Sequence, residues 1–100
     1  MFIGIARFEL FIPASTSLKE KRHVLRSIID GVRNRYNVSV AEVDFQDLWQ
    51  RAAIGVTCVS GSSSHCMKVM NEIDRAVTRA AVDGAEISGR SIEVFSEDDL

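Results

Sequence analysis

The sequence predicts one α+β domain built β-α-β-β-α-β, and three observations carry that reading. Residues 2–12 alternate like a strand with one consistently apolar face. Two longer segments, one opening at Ser17 and one at the Gly61-Ser62-Ser63-Ser64 run, repeat apolar residues at helical spacing. Between them lie two short strand-like segments, close enough in sequence to favour a hairpin, and a last strand follows the second helix.

In the first strand Phe2, Gly4, Ala6, Phe8 and Leu10 share the face expected to meet the core, with Ile3, Ile5, Arg7, Glu9 and Phe11 opposite. Pro13, the only proline, ends the strand because it has no amide to donate to a ladder. Ser17 and Glu20 are spaced as a capping box, the hydroxyl accepting from the N3 amide and the carboxylate from the N-cap amide. Leu18, Leu25, Ile28, Ile29, Val32 and Tyr36 then mark a buried helical stripe, with Asn37 as a left-handed stop. Val38–Val43 and Arg51–Val59 are the second and third strands, joined through Asp44–Leu48; Ala52, Ile54, Val56 and Cys58 share one face of the third. In the second helix Cys66, Val69, Met70, Ile73, Ala76, Val77 and Ala80 form the apolar stripe, and Gly84 closes it at C′. The last strand covers about residues 85–95, with a bulge or break at Gly89. One antiparallel sheet with both helices on one face, the ferredoxin-like architecture, satisfies this order. Residues 1–96 form the single domain, and residues 97–100 a solvated acidic tail.

Composition narrows the function classes. Hydrophobic residues make up 46% and charged residues 26% of the chain, which places it among globular proteins rather than disordered ones. The N-terminus lacks the basic start and cleavage site of a secretory signal, and no segment is long and apolar enough for a bilayer, so a cytoplasmic protein without a membrane partner is expected. Cys58 and Cys66 are then expected as free, buried thiols rather than as a metal or redox pair. The net charge of −2 attracts no nucleic acid globally, but residues 17–36 carry a local +4 and the remainder −6.

Three segments carry a resemblance. Ser17-Leu18-Lys19-Glu20-Lys21-Arg22, Asn37-Val38-Ser39-Val40-Ala41-Glu42-Val43 and Gln46-Asp47-Leu48-Trp49-Gln50-Arg51-Ala52, in this order and at these separations, are similar to the YlxP-like family. That family comprises small bacterial proteins classed as a domain of unknown function, and the resemblance covers about residues 1–60. It implies a ferredoxin-like fold. Its genes often lie beside those for translation initiation and ribosome maturation, which implies a ribosome- or RNA-associated role. It supplies no catalytic residues.

The leading candidate site is the flank of helix one. At ~100° per residue, Lys19, Arg22, Arg26 and Arg33 fall within roughly 60° of the helix surface. Forked guanidinium donors suit phosphates of ribosomal RNA or of a ribosomal particle. The alternative is a solvated face with weak pairs such as Arg26 with Asp30. A second candidate is an anion at the helix start, among Ser15, Thr16, Ser17, Lys19 and Lys21, opposed by the capping role of Ser17 and Glu20. A third is a protein contact or self-association through a sheet edge and the Trp49, Asp47 and Arg51 region, with Trp49 as an aromatic anchor. There the alternative is turn-forming acids and a Trp49 packed over the core. The third strand lacks the aromatics that stack bases on RNA-recognition sheets. His65 and Cys66 are adjacent and so diverge on a helix. No catalytic constellation, metal site or cofactor is expected, and the sequence reads as a non-enzymatic accessory factor.

Overall fold

The computed structural model describes residues 1–100. Strand β1 (Phe2–Phe11) is followed by helix α1 (Leu18–Arg35), strands β2 (Ser39–Asp44) and β3 (Arg51–Ser60), helix α2 (Ser63–Ala81) and strand β4 (Glu86–Ser96). The strands form one antiparallel sheet in the order β2-β3-β1-β4. Both helices cover one face, so the ferredoxin-like arrangement expected from the sequence is present. Neither helix is long and apolar enough to cross a membrane.

The core forms where alternation and helical phase converge. Ala6, Phe8 and Leu10 of β1 and Ala52, Ile54, Val56 and Cys58 of β3 point into it. They meet Leu25, Ile28 and Val32 of α1 and Cys66, Met70, Ile73, Ala76 and Val77 of α2. Ala81 completes the α2 stripe, while Ala80 is exposed one position off the helical phase. Gly4 is a close-approach position: a Cβ there would stand 2.7 Å from Met70 Cγ and 3.1 Å from Cys58 Sγ.

Several local expectations need correction. Ser17 Oγ accepts from the Glu20 amide at 3.1 Å as expected, but the Glu20 carboxylate reaches past the N-cap to the Thr16 amide at 2.7 Å. Helix α1 ends on an extended Tyr36, and neither Asn37 nor Gly84 adopts a left-handed conformation. Helix α2 instead closes through a turn in which Gly84 N and Ala85 N both donate to Ala81 O. The β4 bulge lies at Ser88: Glu9 pairs with Gly89 and Leu10 with Ile87. The acidic end forms one 3-10 turn, Glu97–Asp99, whose Glu97 meets the Met1 ammonium at 2.8 Å.

Candidate nucleic-acid interface

Helical phase decides which cations of α1 face solvent. Lys21, Leu25, Ile28 and Val32, at i, i+4, i+7 and i+11, turn inward. Lys19, Arg22 and Arg26 are therefore carried outward, where all three are exposed and take part in none of the chain's ion pairs. Arg33 differs. Its Nη2 donates to Val40 O at 2.9 Å and its Nη1 lies 3.7 Å from Asp30. Asp30 is thus engaged by Arg33, and the expected Arg26–Asp30 pair is absent. Arg33 also covers a backbone carbonyl of edge strand β2, and Gln46 Nε2 reaches Glu42 O at 3.4 Å on the same strand. Such side-chain donors blunt an edge that would otherwise template pairing.

The helix start does not form an open anion cradle. Ser15 is buried and donates to Ser17 O at 3.0 Å. Glu20 Oε2 accepts from both the amide and the hydroxyl of Thr16, and those bonds hold its carboxyl below the usual value. Lys19, Glu20, His23 and Asp83 border a cleft of about 650 Å³ between this helix start and the α2–β4 turn.

Lys21 is the residue that sequence reasoning missed. It is 1% exposed. Its ammonium donates to Phe45 O at 2.7 Å and Leu48 O at 2.8 Å, with Gln46 O at 3.4 Å. Glu42 Oε2 lies 2.9 Å away and makes no directed hydrogen bond, so that attraction is one of charge. The same loop holds the only non-glycine residue at positive φ, Phe45 at 59°. Asp44 Oδ1 accepts from the Phe45 amide, and Leu48 N donates to Phe45 O. Gln50 Nε2 donates to Pro13 O and Ser15 O, while Ile12 N donates to Gln50 O. All three family-like segments therefore meet here as a structural knot, through Lys21, Glu42 and Leu48. The signal was present in the sequence: Lys21 lies in phase with Leu25, Ile28 and Val32.

The knot projects Trp49 outward, where it is 55% exposed beside an exposed Leu48, rather than over the core. Asp47 is exposed and makes no ion pair. Arg51 stacks on the Phe45 ring at 3.9 Å and makes its ion pair with Glu9 of β1 at 4.0 Å, its charge also attracting Asp44 more weakly. Arg7 bridges Glu9 at 3.3 Å and Asp44 at 3.0 Å on the helix-free face. Asp44 is held below the usual carboxylate value, first by the Phe45 amide and then by Arg7, which Asp44 in turn raises.

Cys58 and Cys66 are free and buried, with sulfurs 3.6 Å apart. Burial first, and the Cys58 thiol second, push the Cys66 thiol up to about 11. His23 and His65 stand exposed on different helices. No three His, Cys, Asp or Glu residues gather in metal-ligating geometry.

Fold and site together define a small ferredoxin-like domain with an open basic flank on helix α1. The chain belongs to the family described as "Protein of unknown function (DUF503)", whose model matches residues 3–88. It is 40% identical over 87 residues to the Uncharacterized protein YlxP of Bacillus subtilis (strain 168), covering 77% of this chain and 95% of that protein. Among solved structures, one named for a chlorite dismutase superposes with TM-score 0.61 at 9% identity. That match covers 99% of this chain, which spans 46% of the other. The de novo designed protein LFR1 1, with ferredoxin fold, superposes with TM-score 0.54 at 8% identity, over 97% of this chain and 87% of the design. At these identities both matches speak to the fold alone.

Proposed function

We propose that this protein is a non-enzymatic accessory factor that binds the phosphates of structured RNA, as free RNA or in a ribosomal particle, through Lys19, Arg22 and Arg26. One observation carries the reading: these three neighbouring cations are exposed on a rigid helix and none is neutralised by an acid of its own chain. An unpaired arginine keeps its full set of forked donors for a phosphate, whereas Arg33 has committed part of its fork to Val40 O and Asp30. Arg33 therefore adds charge to the flank rather than a primary contact. Separated exposed histidines, a buried Cys58 and a buried Cys66 whose thiol is pushed up supply no nucleophile–base pair, which supports the non-enzymatic part of the reading.

The test is co-sedimentation of purified protein with ribosomal subunits at low salt. The wild type is expected in the particle fraction and the Arg22→Glu/Arg26→Glu variant in the supernatant, with unchanged far-UV circular dichroism. Equal partition of the two proteins defeats the proposal.

A second reading, a protein contact through the Trp49 loop, is favoured by the exposure of Trp49 on a loop that Lys21 holds in place. Rigid exposed aromatics are frequent interface anchors. A Trp49→Ala variant that loses particle association while Arg22→Glu/Arg26→Glu retains it selects this reading.

A further inference from the structure

The helix-free face of the sheet has a relief that pairs with itself. Down β1 the outward residues are Ile3, Ile5, Arg7, Glu9 and Phe11, all large. Beside them on β3 lie Val59, Thr57, Gly55, Ala53 and Arg51, small in the middle. The result is a ridge on β1 next to a trough on β3. The trough is open at its Thr57–Gly55 end, where a groove of about 350 Å³ is floored at Gly55 and walled by Ile5 and Val43. Beyond it Arg7 crosses β3 to reach Asp44 of β2, and Ala53 is fully buried. A Cβ at Gly55 would stand 2.8 Å from Val43 Cγ1, so the absence of a side chain keeps the wall and floor as they are.

We infer that this face is the interface of a two-fold symmetric homodimer in which the β1 ridge of each copy enters the β3 trough of the other. A two-fold axis parallel to the strands sets β1 of one copy over β3 of the second and repeats the contact in reverse, the isologous arrangement of most homodimers. In register, Ile3 of each copy meets Val59 of the other and Ile5 meets Thr57, while Arg7 stays on its own sheet, paired with Glu9 and Asp44. The residues that open the patch to water fit this use: Val59 is 68% exposed, Val43 49% and Ile5 47%.

The area suffices. Strands about 4.8 Å apart, rising about 3.3 Å per residue, give this four-stranded face roughly 600 Å². Two copies then bury about 1,200 Å², the lower bound for a specific stable interface. Other occupants fit less well. The face carries Arg7 and Arg51 against Glu9, Asp44, Glu86 and Glu93, an acidic balance that repels phosphates of RNA or of an anionic membrane. Edge pairing through β2 is opposed by the Arg33 and Gln46 side chains on its carbonyls. The inference stands apart from the RNA reading, because the helices lie on the other face.

Sedimentation equilibrium of the full chain, from micromolar concentration upward, tests it. The wild type is expected at twice the 11.1 kDa chain mass. Ile5→Arg, and separately Val59→Arg, bring like charges together across the axis and should weaken the dimer by roughly a hundredfold or more. Val59 is exposed enough that its variant keeps the wild-type circular dichroism even where Ile5→Arg does not, its melting temperature falling only by what the lost dimer contributed. A wild type that stays monomeric overturns the inference. So does a dimer that survives both substitutions, or one that Trp49→Ala dissolves while Val59→Arg leaves it intact.

Discussion

Replacing Lys21 with Met tests whether the knot between α1 and the β2–β3 loop is held by one buried charge. Methionine keeps most of the buried stem and removes the ammonium. Phe45 O and Leu48 O then lose donors at 2.7 and 2.8 Å, and Glu42 Oε2 loses its only charge partner at 2.9 Å. Removing one member of a buried, hydrogen-bonded pair costs about 3–5 kcal/mol, because the other groups stay behind unpaired. A domain of this size has about 5–15 kcal/mol in all, so the variant should lose at least about 12 °C in melting temperature. Glu42→Gln should cost less, since the ammonium keeps its carbonyl partners. Trp49, the only tryptophan, sits on the released loop and reports on it. Acrylamide quenching of its fluorescence should rise in the Lys21→Met protein below its melting transition. A loss under about 1 kcal/mol, with unchanged quenching, refutes the assignment of Lys21 as an anchor.

Two further outcomes follow from the core. Gly4→Ala places a methyl 2.7 Å from Met70 Cγ and 2.8 Å from Met70 Sδ, and should cost about 1–3 kcal/mol by overpacking, read as a lower urea midpoint with unchanged m. An unchanged midpoint shows that Met70 yields freely. The Cys66 thiol, raised from 9.0 to about 11, binds its proton more tightly in the folded state. The stability this provides is full below pH 9.0, and it is lost as pH rises toward about 11. Melting temperature should therefore fall more steeply over that interval in the wild type than in Cys66→Ala, and parallel curves contradict it.

Much of this was legible in the residues because it depends on local periodicity. The even face of β1, the Cys58 face of β3 and the Cys66–Val77 stripe need only a period of two or 3.6 to be read, and each is buried. The Ser17 hydroxyl cap is local too. What escaped depends on partners distant in sequence. Lysines are rarely buried without a partner, and the partners of Lys21 lie 24–27 residues away on loop carbonyls that carry no side-chain signal. Arg33 belongs with Arg22 and Arg26 by helical phase, yet edge strand β2 supplies it with Val40 O. The ends of both helices were misread because an extended Tyr36 and a turn closed on Ala81 O, not left-handed residues, stop them. The ridge and trough of the outer face emerge only once the register of β1 on β3 is known.

The most direct test of the central claim is the salt dependence of binding to a structured ribosomal RNA fragment. Three neutralised phosphates predict a slope of about −2 to −3 for the logarithm of affinity against the logarithm of salt. Arg22→Glu/Arg26→Glu should abolish binding at low salt, and Arg33→Gln should retain most of it. A salt-independent affinity, or one that survives the double charge reversal, would contradict phosphate recognition by the α1 flank.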